Sequence, residues 1–188
     1  MSRITFILGG ARSGKSRYAE KLAEQAQKRT YIATAEMIDD EMRERIGTHR
    51  ARRARDWSVC EATLDLTAAL LTADDENALV LIDCVTVWLA NLMHYGRDPA
   101  QEIDRLCESL SMVKGTVIIV ANEVGLGIVP DNALARRFRD EAGRANQRIA
   151  EIADEVIFMA AGLPLPLKTP QPGRPSRRQS ASARAHKA

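Results

Sequence analysis

The stretch Gly9-Gly10-Ala11-Arg12-Ser13-Gly14-Lys15-Ser16 sets the terms for the rest of the chain. It has the form G-x-x-x-x-G-K-[ST], follows the apolar run Ile4-Thr5-Phe6-Ile7-Leu8 and opens a stretch of helical spacing. That is the strand–loop–helix context the motif requires. Glycines remove side chains so that consecutive backbone N–H groups can turn inward on a phosphate. The following helix aims its positive dipole end at the same anion. Lys15 is then placed to reach the β- and γ-phosphates, and the Ser16 hydroxyl to sit on Mg²⁺. A chain built this way binds a nucleoside triphosphate.

What surrounds the loop decides the fold class. Residues 4–8 are nearly continuous in apolar side chains, as a strand buried on both faces of a parallel sheet must be. Residues 16–28 place Tyr18, Ala19, Leu22, Ala23 and Ala26 on one helical stripe. Strands are expected at 30–34, 57–60, 78–83, 116–120 and finally 155–160; helices at 62–71, 85–94, 99–112 and 131–153. Residues 39–55 read as a highly charged helix whose few apolar residues, Met42 and Ile46 among them, cannot make it a core element. Strands alternating with helices argue for an α/β, doubly wound, mostly parallel sheet with helices on both faces. Ligands of such sheets sit at the carboxyl ends of the strands, where Gly9, Thr34, Asp83 and Asn122 fall.

With 188 residues the chain is expected to form one domain over residues 1–168, followed by a basic Pro/Ser/Arg tail at 169–188 that has no apolar period and is expected to be disordered. The tail carries five of the 27 Lys+Arg and none of the 25 Asp+Glu, so the body is net acidic and is not a nucleic-acid surface by charge. Cys60, Cys84 and Cys107 form no C-x-x-C pair and suit a reducing compartment. No segment approaches the ~20 apolar residues of a membrane span. The first apolar run is too short, and too close to the loop, for a signal peptide. The expectation is a soluble cytoplasmic protein.

Two residues beyond the loop invite chemistry. Asp83 ends the apolar strand Leu79-Val80-Leu81-Ile82, where a carboxylate either holds Mg²⁺ beside Ser16 or caps the helix that starts near Val85. His49 lies in the charged stretch and is either a solvated histidine or a nucleophile toward phosphorus, with neighbouring arginines to neutralise phosphate charge. His94, at a helix end, and His186, in the tail, are less promising. The run Asn122-Glu123-Val124-Gly125-Leu126-Gly127-Ile128-Val129-Pro130 reads either as a surface turn or as a substrate loop. No N-K-x-D motif is present, which disfavours a regulatory GTPase. On these residues alone a small-molecule kinase and a non-catalytic nucleotide-binding module both remain open.

Taken together, Gly9–Ser16 with Arg17, Tyr31-Ile32-Ala33-Thr34-Ala35, Asp39-Asp40-Glu41-Met42 with Arg45-Ile46 and His49, Trp57, Glu61, Asp83-Cys84-Val85-Thr86, Asn91-Leu92, Asn122-Glu123-Val124-Gly125 with Gly127-Ile128-Val129-Pro130, Arg137-Phe138-Arg139-Asp140, Gly143 and Asn146-Gln147 resemble one family. It is the bifunctional adenosylcobinamide kinase / adenosylcobinamide-phosphate guanylyltransferase family of cobalamin biosynthesis. The resemblance spans about residues 4–168 and implies a P-loop NTPase of RecA-like fold, assembled as a homotrimer. It implies that adenosylcobinamide is phosphorylated from ATP or GTP. It also implies that GTP then guanylylates a histidine and GMP passes to adenosylcobinamide phosphate, giving adenosylcobinamide-GDP. By position His49 is the guanylylated residue and Lys15 the other catalytic one. The resemblance implies that Gly9, Gly10, Ala11, Arg12, Ser13, Gly14, Lys15, Ser16, Thr34, Ala35, Glu36, Arg50, Ala51, Arg52, Arg53, Glu61 and Asp83 line the nucleotide site, where Ser16 and Asp83 are the residues expected on Mg²⁺. Some members carry two adjacent histidines where this chain has Thr48-His49, and the tail after Lys168 lies outside the family's usual end.

Overall fold

The computed structural model describes residues 2–36 and 57–170. Seven strands form one sheet: β1 (Arg3–Gly9), β2 (Lys28–Ala33), β3 (Trp57–Glu61), β4 (Ala78–Asp83), β5 (Thr116–Asn122), β6 (Glu155–Ala160) and β7 (Leu163–Lys168). Their order is β3-β2-β4-β5-β1-β6-β7, and every pairing is parallel except the last. The described helices are α1 (Lys15–Ala23), α2 (Leu66–Ala73), α3 (Val85–His94), α4 (Pro99–Met112) and α5 (Ala133–Ile152).

Alternation along the central strands divides the core into two layers. Ile4, Phe6, Val80, Ile82, Val117 and Ile119 face α2, α3, α4 and α5 through Leu66, Leu70, Trp88, Leu89, Leu106 and Ile149. Ile7, Leu79, Leu81, Ile118 and Val120 face the other way, where α1 supplies Ala19 and Ala23. Strands apolar on both faces are thus explained by helices on both sides. Small residues on α1 let it lie close to the sheet, and Leu22, expected on its buried stripe, is instead 37% exposed.

Local signals set the helix starts. The Asp98 side chain accepts from Ala100 N at 2.9 Å and Pro99 occupies the first turn of α4. Asn132 accepts from Ala135 N at 2.7 Å at the start of α5. These boundaries fall within two residues of those read from the pattern. The helix expected at 62–71 begins later, at Leu66, and continues to Ala73.

Residues 155–160 are not the last strand. Ala161 (φ 52) and Gly162 (φ 80) make a two-residue turn with both φ positive, and β7 folds back antiparallel on β6. Its sequence, Leu163-Pro164-Leu165-Pro166-Leu167-Lys168, reads poorly as a strand because proline cannot donate to a ladder. It is admissible here because β7 lies on the edge. The charged stretch at 39–55, and the tail from residue 171 on, lie outside the described residues.

Trp88 is fully buried and its Nε1–H donates to Leu64 O at 2.7 Å, tying α3 to the segment before α2. Trp88→Ala is expected to cost about 3–5 kcal/mol, from the cavity and the orphaned carbonyl. Urea unfolding followed by circular dichroism would register this as a lower midpoint.

Candidate active site

The phosphate loop joins β1 to α1. Gly9 ends the strand at φ 157, and a Cβ there would lie 2.5 Å from Met159 O and 2.7 Å from Ser13 Oγ, so only glycine fits. Arg12 (φ 55) and Gly14 (φ 96) both take left-handed conformations, and a turn closes with Ser13 N donating to Gly10 O at 3.3 Å. Successive residues of this kind curl a backbone around an anion. Gly14 is the N-cap of α1, so the first turn of that helix faces the same space.

Two side chains inside the loop suit that anion. Lys15 is buried, and its Nζ donates to Gly10 O at 2.8 Å. Ser13 Oγ is buried and has no hydrogen-bond partner among the described residues. A buried hydroxyl without a partner costs about 1–3 kcal/mol, which a phosphate oxygen in the cradle would relieve. The hairpin turn between β6 and β7 braces the loop from outside: Gly162 N donates to Ser13 O at 3.0 Å. Nothing in the composition of β7 announces this contact.

Asp83 ends β4, half-buried, at the same sheet edge. It is not a helix cap. The N-cap of α3 is Cys84, which makes no side-chain capping bond. The Asp83–Cys84 peptide is cis. The Tyr31 hydroxyl donates to Asp83 Oδ2 at 2.9 Å, which orients the carboxylate. Thr34, fully buried, grips the next residue: its Oγ1 accepts from Cys84 N at 2.9 Å and donates to Cys84 O at 2.8 Å. Asn91 Nδ2 in turn donates to Thr34 O at 2.8 Å and to Thr63 O at 3.1 Å. Tyr31, Thr34 and Asn91 thereby hold the end of β4 in place. Tyr31 reads as a strand residue and part of a family motif, and its bond to Asp83 goes unread in the sequence because that reach depends on the pairing of β2 with β4.

The structure brings Gly9, Gly10, Ala11, Arg12, Ser13, Gly14, Lys15 and Ser16 to one end of the sheet, with Asp83 two strands away across β5. Thr34, Ala35 and Glu36 follow β2 at that end, and both Glu36 oxygens accept from the Tyr95 hydroxyl, at 3.2 and 3.1 Å. That bond holds the Tyr95 phenol above its usual pKa. Glu61 ends β3, on the far edge, with β2, β4 and β5 between it and the loop strand. His49, Arg50, Ala51, Arg52 and Arg53 lie outside the described residues.

The donor set fits Mg²⁺. Among the described residues no group of three or more His, Cys, Asp or Glu is arranged to hold a metal. One carboxylate and one hydroxyl, Asp83 and Ser16, are oxygen donors of the kind Mg²⁺ takes when phosphate and water supply the rest of an octahedral shell.

Sequence comparison matches residues 5–167 to the family described as cobinamide kinase / cobinamide phosphate guanyltransferase. The bifunctional adenosylcobalamin biosynthesis protein CobP of Pseudomonas aeruginosa is 49% identical over 166 residues, covering 86% of this chain and 95% of the relative. The corresponding protein CobU of Escherichia coli is 40% identical over 180 residues, covering 88% and 99%. Among solved structures, an ATPase from the type III secretion system of pathogenic bacteria is similar at TM-score 0.56 and 14% identity. The match covers 87% of this chain and 56% of that one, a likeness of fold alone.

Gly9→Ala would drive a methyl into Met159 O and Ser13 Oγ. It is expected to weaken triphosphate binding by about tenfold or more in titration calorimetry, with the far-ultraviolet circular dichroism unchanged. Burial, and then the charge of Asp83, push the Cys84 thiol up to about 12, and burial pushes Cys107 up to about 11. The native protein at pH 8 should therefore react with iodoacetamide at half-buried Cys60 and not at these two until denaturant is added. A thiol raised from 9.0 contributes its full stability below pH 9 and loses it as pH climbs toward the folded value. The unfolding midpoint should accordingly fall between pH 9 and about 11–12.

Proposed function

The chain belongs to the cobinamide kinase / cobinamide phosphate guanyltransferase family, and from that premise we propose that it catalyses both reactions of adenosylcobalamin nucleotide-loop assembly. The observation that carries the reading is the loop interior. A buried lysine and an unpartnered buried hydroxyl line a cradle at the same sheet edge as a carboxylate not used as a cap.

In the kinase step the loop holds the β- and γ-phosphates of ATP or GTP, and Lys15 shifts from Gly10 O to the phosphate oxygens. The hydroxyl on the aminopropanol arm of adenosylcobinamide attacks the γ-phosphorus, the β–γ bridging bond breaks, and the diphosphate leaves with its electron pair. In the transfer step neutral His49 attacks the α-phosphorus of GTP. A P–N bond forms, the α–β bridging bond breaks and pyrophosphate departs. A phosphate oxygen of adenosylcobinamide phosphate then attacks the same phosphorus and returns the imidazole. Arg50, Arg52 and Arg53 would offset phosphate charge, while Ala51, Thr34, Ala35, Glu36 and Glu61 belong to the proposed nucleotide environment. Ser16 and Asp83 would hold Mg²⁺, which supplies neutralisation of the charge on the leaving phosphates.

A homotrimer in the cytoplasm belongs to the same proposal. No helix among the described residues is long and apolar enough to cross a membrane. On β7, Leu163, Leu165 and Leu167 are exposed, apolar area that an assembly would cover.

Incubation with α-labelled GTP should leave acid-labile, base-stable label on the wild type and none on His49→Ala. A wild-type protein that phosphorylates adenosylcobinamide yet takes no label would overturn the covalent step. Lys15→Ala should lower phosphorylation by about 100-fold or more in a protein of unchanged circular dichroism.

A further inference from the structure

Phosphorylating an alcohol leaves a proton to be taken, and the loop, Lys15 and Asp83 do not account for it. Four carboxylates follow or end strands at the ligand edge among the described residues: Glu36, Glu61, Asp83 and Glu123. Three are disfavoured by place or partner. Both oxygens of Glu36 accept from Tyr95. Glu61 ends the edge strand β3, with three strands between it and β1. Asp83 already accepts from the Tyr31 hydroxyl, and its proposed place is on Mg²⁺.

Glu123 stands differently. It directly follows β5, which pairs with β1 on one side and β4 on the other, so it emerges between the phosphate loop and Asp83. Its own N–H donates to Gly9 O at 3.0 Å, which fixes its backbone beside the first residue of the loop. The side chain is half-buried, and Oε1 accepts from Gly125 N while Oε2 takes no hydrogen bond among the described residues. One oxygen is anchored, and the other has no hydrogen bond from any of the described residues.

We propose that Glu123 is the general base of the kinase step, a reading that rests on the kinase activity proposed above. As the substrate oxygen bonds to the γ-phosphorus and the β–γ bridging bond breaks, the hydroxyl proton moves to Glu123 Oε2 and later to solvent. The guanylyl step makes no such demand. A neutral imidazole and then a phosphate oxygen are its nucleophiles, and neither must lose a hydroxyl proton to attack. The two activities of one cradle therefore differ in their need for Glu123.

Glu123→Gln separates this role from a merely structural one, because the amide oxygen can still accept from Gly125 N. With wild type, Glu123→Gln and Glu123→Asp compared, we expect kcat for phosphorylation to fall about 100-fold or more in the glutamine variant and to recover partly in the aspartate variant. The nucleotide KM should stay within about twofold, and enzyme labelling by α-labelled GTP within about threefold of wild type. If phosphorylation and labelling fall together, Glu123 only shapes the loop and the proposal is overturned. It is equally overturned if the glutamine variant phosphorylates like the wild type. A wild type that does not phosphorylate adenosylcobinamide removes the kinase reading itself, a failure visible before any variant is made.

Discussion

The register of three parallel strands is the constraint on which the site depends. β1 pairs with β5 from Arg3↔Thr116 to Gly9↔Asn122, and β5 pairs with β4 from Leu79↔Thr116 to Asp83↔Val120. These pairings bring the loop, Asn122-Glu123 and Asp83 out at one end of the sheet. A slip of one residue in β4 would exchange Leu79 and Leu81 for Val80 and Ile82 between the two core layers and turn Asp83 to the other face. The apolar residues that fill both layers therefore also hold the functional ones in place. Stability and site geometry are enforced by the same side chains.

Polar contacts refine what the register sets. Thr34, at the end of β2, spends its only hydroxyl on the backbone of Cys84, and Asn91 on α3 secures the Thr34 carbonyl. Both are buried, where an unmet partner costs about 1–3 kcal/mol, so this chain of bonds is strongly held. Tyr31 adds a directional bond to Asp83 from a ring packed edge-on against Trp57, 6.0 Å between centroids. On the other side of β5, the turn of the β6–β7 hairpin supports Ser13. The loop is thus braced by an edge hairpin and the carboxylate by a buried network, from opposite halves of the sheet.

Much of this was legible in the sequence. The loop was readable because its chemistry demands glycines and a lysine at fixed spacing, and β4 because an apolar run ending in aspartate has few other uses. Helices α3, α4 and α5 were legible to within two residues at each end. β7 was missed because alternating Leu and Pro argues against a strand unless the strand is known to lie on an edge, which is a property of the sheet. Tyr31, Asn91 and Glu123 stood in motifs or a candidate substrate loop, but their individual roles were not read, for a related reason. Each acts across a pairing, and a single sequence carries no register between distant strands. Asp83 stood between two readings, and what decides against a cap is that Cys84 occupies that position with no side-chain bond.

The two reactions proposed for one cradle pose a geometric question, since the phosphorus attacked is terminal in one and proximal in the other. A cradle that grips phosphates through backbone N–H groups and one lysine is indifferent to which phosphorus reacts. It stabilises charge on the whole chain of phosphates rather than at one atom. Selectivity must then come from where the nucleophile enters and whether it must lose a proton. In sequence the proposed nucleophile and the proposed base are well separated: His49 between β2 and β3, Glu123 after β5. In the sheet β2 and β3 lie to one side of β4, whereas β5 adjoins the loop strand directly. An alcohol that must be deprotonated is best served by a carboxylate held against the loop, where the donor's phosphates are fixed. An imidazole brings its own lone pair and needs no such neighbour. On this account the division of labour follows from the acid–base character of the two nucleophiles, with the phosphate cradle common to both.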